Sequence, residues 1–172
     1  MEYLGIDPGT TESGFCRVID GRPVESGVLP NQEMWNRIFD LDPSVVVVFE
    51  RPAGMGQVAG NELLMTAIWT GAFMAAAGKL PTTAYSVTRG QVLSWLLHGK
   101  SKAKGKTHDS QVRTALLDRF GGESIAKGNK AKPGPLYGIS SHAWPAFAAV
   151  LTWCALNPFS VAEITRAAAK SS

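Results

Sequence analysis

The sequence predicts an α/β fold in which a mixed sheet is flanked by helices. Three observations point there. Short apolar runs broken by Asp, Gly and Pro crowd the N-terminal part, Val45 to Phe49 forms one continuous and mostly β-branched run, and apolar residues from Leu63 onward recur at helical spacing. With 45% apolar and 18% charged residues, the 172-residue chain reads as a soluble globular protein organised as one domain, 1-172. A chain of this length buries about 70% of its unfolded surface, so neither a metal staple nor a disulfide framework is needed. Cys16 and Cys154 form no Cys-x-x-Cys pattern, which argues against a zinc ribbon and suits a reducing cytoplasm. Met1-Glu2-Tyr3-Leu4 opens no secretory signal. The most apolar stretch, Leu63 to Gly78, has 16 residues, short of the roughly 20 needed to span a bilayer. A buried helix is expected there, with no membrane association.

Taken in order, Tyr3 to Ile6 reads as a first strand ending at the turn Asp7-Pro8-Gly9. A second strand runs from Phe15 to Ile19, with apolar residues on both faces, so alternation leaves open which face is buried. Asp20-Gly21 is a hairpin signal, and Val24 to Leu29 is the returning strand. Asn31 is placed to cap a helix carrying Met34, Trp35, Ile38 and Leu41, which Pro43 stops. The valine run that follows is the pattern of a strand covered on both faces. Asn61 is placed to cap a long helix through Ala77, apolar almost all round and therefore packed on two sides. Tyr85 to Val87 reads as a short strand, Gln91 to Leu97 as a helix, and Lys100 to Lys106 as a lysine-rich loop. A further helix begins at Thr107 or Asp109 and stops at Gly121-Gly122. Gly122 to Gly138 reads as a second basic loop, and a last helix runs from near Ser141 past Cys154.

Charge is segregated along the chain. From Arg89 to Lys132 there are ten Lys/Arg against Asp109, Asp118 and Glu123, a net +7, while the remainder carries −4. A basic segment beside an acidic body fits a polyanionic partner, nucleic acid foremost, although a solvated lysine loop has the same composition.

Two carboxylates fall where strands end. Asp7 follows Gly5-Ile6 and Glu50 follows the valine run. On parallel neighbouring strands both would leave the same sheet edge, where open α/β sheets bind ligands. Close carboxylates repel, and a cation relieves them. Mg²⁺ suits carboxylate oxygens and phosphate substrates, and paired ions serve phosphodiester cleavage. Taken singly, Asp7 is also good turn chemistry, and Glu50 could be a strand-end acid paired with a nearby arginine.

The stretch Gly5-Ile6-Asp7-Pro8-Gly9-Thr10-Thr11-Glu12-Ser13-Gly14-Phe15 resembles the opening of the RuvC family of Holliday-junction resolvases. Val45 to Glu50 with Arg51-Pro52, Lys106 to Arg113, and Ser141 to Ala148 resemble three further family stretches in the same order. The resemblance implies an RNase H-like mixed sheet, an antiparallel three-strand meander extended by parallel strands. It implies Mg-dependent cleavage of four-way (Holliday) junctions, with Asp7, Glu50 and His142 as catalytic and metal-binding residues and Mg²⁺ (Mn²⁺ possible) as cofactor. It further implies DNA contacts from Lys100, Lys102, Lys104, Lys106, His108 and Arg113, a homodimer joined through the Leu63 to Ala77 helix, and action in the cytoplasm, a host's in the case of a phage-type member.

The sequence departs from the family pattern twice. The family carries a second metal-site residue three positions after that of His142, and here the position is Pro145. Asp109 stands where the family has a lysine, and it is either a surface acid or a further member of the metal site. Two other readings stay open: a branched-DNA-binding protein with weak or no cleavage, suggested by Pro145, and an actin-like nucleotide-binding domain, suggested by Asp7-x-Gly9-Thr10-Thr11.

Overall fold

In the computed structural model the described residues are 1–53, 60–78, 85–97 and 108–158. Strands β1 (Glu2–Asp7), β2 (Glu12–Ile19) and β3 (Arg22–Pro30) form an antiparallel meander, with β2 central among the three. Asp20 and Gly21 close the β2–β3 hairpin with φ of 49° and 76°, the positive values that a primed turn demands. After α1 (Asn31–Phe39), β4 (Val46–Arg51) returns parallel to β1. Helix α2 (Asn61–Ala76) precedes β5 (Ser86–Thr88), which lies parallel to β4 at the sheet edge. The strand order is β3-β2-β1-β4-β5. Helices α3 (Arg89–Leu97), α4 (His108–Arg119), α5 (Glu123–Lys127) and α6 (Ala143–Leu156) complete the described chain.

Alternation along the strands divides the core in two. Leu4, Ile6, Phe15, Val47 and Phe49 face α1 and α2, where they pack with Met34, Ile38, Phe73 and Met74. Tyr3, Cys16, Val18, Val46, Val48 and Val87 face the other way, toward α3, α4 and α6. The second strand is thus buried on both faces, which resolves the open question of its orientation. Parity then places Asp7 with Tyr3 and Gly5, and Glu50 with Val46 and Val48, on the α6 face.

Two glycines let α6 lie close against the sheet. A Cβ on Gly5 would come within 2.7 Å of Val150 Cγ2, and one on Gly14 within 2.6 Å of the His142 Cβ. Both would also overlap backbone carbonyl oxygens, of Ala146 and His142 respectively. These positions therefore accept no side chain while the helix keeps this depth.

Some local expectations differ from the structure. Asn31 is the first residue of α1 and not its cap; its side chain accepts from Ser13 Oγ at 2.6 Å and donates to the Gly9 carbonyl at 3.1 Å. It secures the turn after β1 instead of a helix end. Helix α1 stops at Phe39, before Pro43. The expected loop from Gly122 to Gly138 contains α5. Helix α2 buries only Thr70, Phe73 and Met74, while Leu64 and Ile68 stay exposed. The exposed side is the one expected to meet a further element or a second subunit.

Candidate functional site

The site lies at the ends of the parallel strands. Register pairs Tyr3 with Val46 and Ile6 with Phe49, so Asp7 and Glu50 sit side by side one step beyond. On the next strand Glu50 pairs with Val87, and the chain leaves β5 directly into α3 with Arg89. Thr88 and Gln91 form a reciprocal capping box: the Thr88 N–H donates to Gln91 Oε1 at 2.8 Å, and the Gln91 N–H donates to Thr88 Oγ1 at 3.3 Å. This box fixes Arg89 at the first helical position.

The arginine bridges three acids. Its Nε is ion-paired with Glu50 Oε1, Nη1 lies 2.7 Å from Asp109 Oδ1, and Nη2 lies 3.8 Å from Asp7 Oδ1. Asp109 arrives from the first turn of α4. His142, just before α6, places Nδ1 3.5 Å from Asp7 Oδ2. Gly14 sets that distance by allowing the His142 backbone to rest against β2. Ser141, immediately before it, has φ of 46°, an uncommon value for a residue with a side chain.

The electrostatics follow from depth. Glu50 is 5% exposed, and its carboxyl is pushed up to about 8, first by burial, then by the neighbouring Asp7 charge, with Arg89 pulling the other way and Asp109 adding to the rise. Its Oε2 is buried and accepts no hydrogen bond among the described residues. His142 is raised above its ordinary value chiefly by the hydrogen bond to Asp7; partial burial opposes this, and the charges of Asp7, Asp109 and Glu12 add to it.

The structure brings Asp7, Glu50 and His142 to one edge, with Asp7 between the other two. Among the described residues no three His, Cys, Asp or Glu side chains are arranged to hold a single ion. Arg89 supplies the cation instead. Sequence reasoning counted Arg89 only as charge; the signal that marks it is Thr88-x-x-Gln91 directly after a short strand. Pro145 is buried in the first turn of α6, where the missing N–H costs no helical hydrogen bond. Asp109, expected as either surface acid or site member, joins the cluster through Arg89.

Of the residues expected at DNA, Lys100, Lys102, Lys104 and Lys106 lie outside the described residues. His108 opens α4. Arg113 is ion-paired with Glu123 at 2.5 Å and sits 5.9 Å from the Trp144 ring. With Asp109, Lys127 and Ser141 it lines a cleft of about 380 Å³ next to His142. Trp144 and Trp153 are core residues, and Trp95 lies under the Arg119 guanidinium. None of the described helices is long and apolar enough to cross a membrane.

No protein-family model and no curated protein matches the chain. Solved structures do. The chain has the RNase H-like architecture, a mixed five-strand sheet flanked by helices, as expected. Within that class it is similar to RuvC of Thermus thermophilus, at 21% identity and a TM-score of 0.58 over 90% of this chain and 95% of that one. The T. thermophilus RuvC solved in complex with a Holliday junction substrate matches at 23% identity and a TM-score of 0.51, covering 90% and 94%. The fold is RuvC-like.

Proposed function

We propose that this chain is a divalent-metal-dependent endonuclease that cleaves branched DNA, four-way junctions foremost. The observation that carries the reading is the placement of Asp7 and Glu50 side by side at the ends of parallel strands, with Glu50 Oε2 buried and unmatched. Hard carboxylate oxygens in a crevice suit Mg²⁺, and Mn²⁺ by the same donor set. Asp7 and Glu50 would hold the ion, with His142 alongside. Bound there, it would activate water and neutralise charge on a phosphodiester. His142 is half exposed, and its raised proton affinity lets it carry a proton at the rim, between Asp7 and solvent.

DNA would be held by the basic segment: Lys100, Lys102, Lys104 and Lys106, His108 at the start of α4, and Arg113 beside the cleft. The RuvC-like fold, one of whose examples was solved with a Holliday junction substrate, supports this choice of partner. We further read residues 1-172 as one nuclease domain, acting in the cytoplasm as a homodimer. The exposed Leu64 and Ile68 on α2 are the surface offered for pairing.

A labelled four-way junction incubated with Mg²⁺ or with EDTA tests the reading. Symmetric nicking with Mg²⁺ alone is expected, and Asp7→Asn should abolish it while leaving the gel shift intact, because removing a negative charge adds no repulsion toward phosphate. Full cleavage by Asp7→Asn overturns the assignment. A retained shift without nicking under any metal would favour a branched-DNA binder, the reading that Pro145 and the arginine-filled cluster support.

A further inference from the structure

Arg89 occupies the ground between Asp7, Glu50 and Asp109. Glu50 and Asp7 are its inner partners, 5% and 13% exposed, whereas Asp109 is 57% exposed at the rim. The capping box pins the backbone of Arg89, yet its side chain is 26% exposed, so the guanidinium can swing outward without unfolding α3. A guanidinium and a divalent ion compete for the same carboxylate oxygens. Here the guanidinium engages only one oxygen of Glu50 and leaves the other unmatched.

We propose that Arg89 is a built-in counter-cation that holds the metal-free site together and that an incoming divalent ion displaces, with Asp109 retaining the released guanidinium. The proposal rests on the reading of Asp7 and Glu50 as metal ligands. It makes Arg89 a positioning residue whose grip sets metal affinity, and Asp109 the partner that lets it move. Losing Arg89 should then weaken the metal-free protein and strengthen metal binding together, a combination that a purely structural role does not produce.

The test is Mn²⁺ and Mg²⁺ binding to the full chain without DNA, followed by calorimetry and by the metal-dependent rise in Tm. Arg89→Gln should bind about tenfold more tightly than wild type, in keeping with loss of a partly exposed competing ion pair, and should have a lower Tm without metal. Arg89→Lys, which keeps the charge but not the fork, should fall between them. Asp109→Asn should bind several-fold more weakly, and that effect should vanish in the Asp109→Asn/Arg89→Gln double variant. Equal or weaker binding by Arg89→Gln overturns the proposal and leaves the metal site standing. Should Arg89→Gln fail to fold, unchanged affinity in Asp109→Asn overturns it instead. Absence of metal uptake by wild type and every variant would remove the metal reading and this proposal together.

Discussion

Replacing Glu50 with Gln removes the charge from the deepest position of the site and should make the protein more stable, increasingly so as pH rises. The carboxyl is 5% exposed and is raised from 4.5 to about 8, mainly by burial and then by Asp7. In the unfolded chain the group ionises near 4.5; in the folded chain it keeps its proton until about 8. Stability is therefore undiminished below 4.5, falls as pH rises toward about 8, and stays at the lower level beyond. Each pH unit of separation is worth about 1.4 kcal/mol, so the full difference is about 5 kcal/mol. Water entry and movement of Arg89 with the charge reduce what an experiment will read to about 3–5 kcal/mol. Gln preserves shape and polarity, so urea unfolding with EDTA at pH 5 should give nearly equal stabilities for variant and wild type. At pH 8.5 the variant should be ahead by that margin. Under the proposed function, Mg²⁺ should recover part of the wild-type deficit at pH 8.5 and little in the variant. Parallel stability–pH curves for the two proteins would refute the reasoning, because they would mean that Glu50 ionises as readily folded as unfolded.

Asp7→Asn should lower the titration midpoint of His142, followed by its imidazole proton resonances, because the hydrogen bond that the imidazole donates to Asp7 is the main cause of its rise. The raised imidazole contributes stability that is full below 6.5 and is lost as pH climbs through the folded midpoint, so Asp7→Asn should cost more at pH 6 than at pH 9. An unmoved midpoint would show that the two side chains do not meet. Gly14→Ala should destabilise the fold by about 1–3 kcal/mol, since the added carbon has to push the start of α6 away from β2. The same variant should shift the His142 midpoint toward its ordinary value; unaltered Tm and midpoint would disprove the close packing.

The layers of the fold were legible because they rest on period and turn chemistry. The valine run, the Asp20-Gly21 turn and the helical stripes each point to one local structure, and the fold contains them all. The placement of Asp7 and Glu50 at one edge was legible conditionally, since parity puts them on one face only once β1 and β4 pair in parallel register. What local pattern could not supply was long-range hydrogen bonding. Asn31 looks like a helix cap in sequence, yet its partners Ser13 and Gly9 lie 18 and 22 residues away. Arg89 is equally ambiguous: only the sheet order, which sets β5 beside β4, brings it to Glu50. Helix α5 escaped notice because five residues between glycines carry too little periodicity to separate from a loop.

The two departures from the RuvC pattern make physical sense together. Position 145 is buried in the first turn of α6, and proline brings no charge that would need a partner there. An acid stands instead at 109, on α4, where it is 57% exposed and reaches the cluster through Arg89. A carboxylate at the rim carries a lower desolvation cost than a buried one and gives the arginine an outer partner. Glu50 has a raised proton affinity, and Arg89 partly offsets the charges of Asp7 and Asp109. A site balanced by its own cation can fold before any metal arrives. Under the proposed function, metal uptake then becomes an exchange of cations accompanied by release of the Glu50 proton, and metal affinity should rise with pH up to about 8.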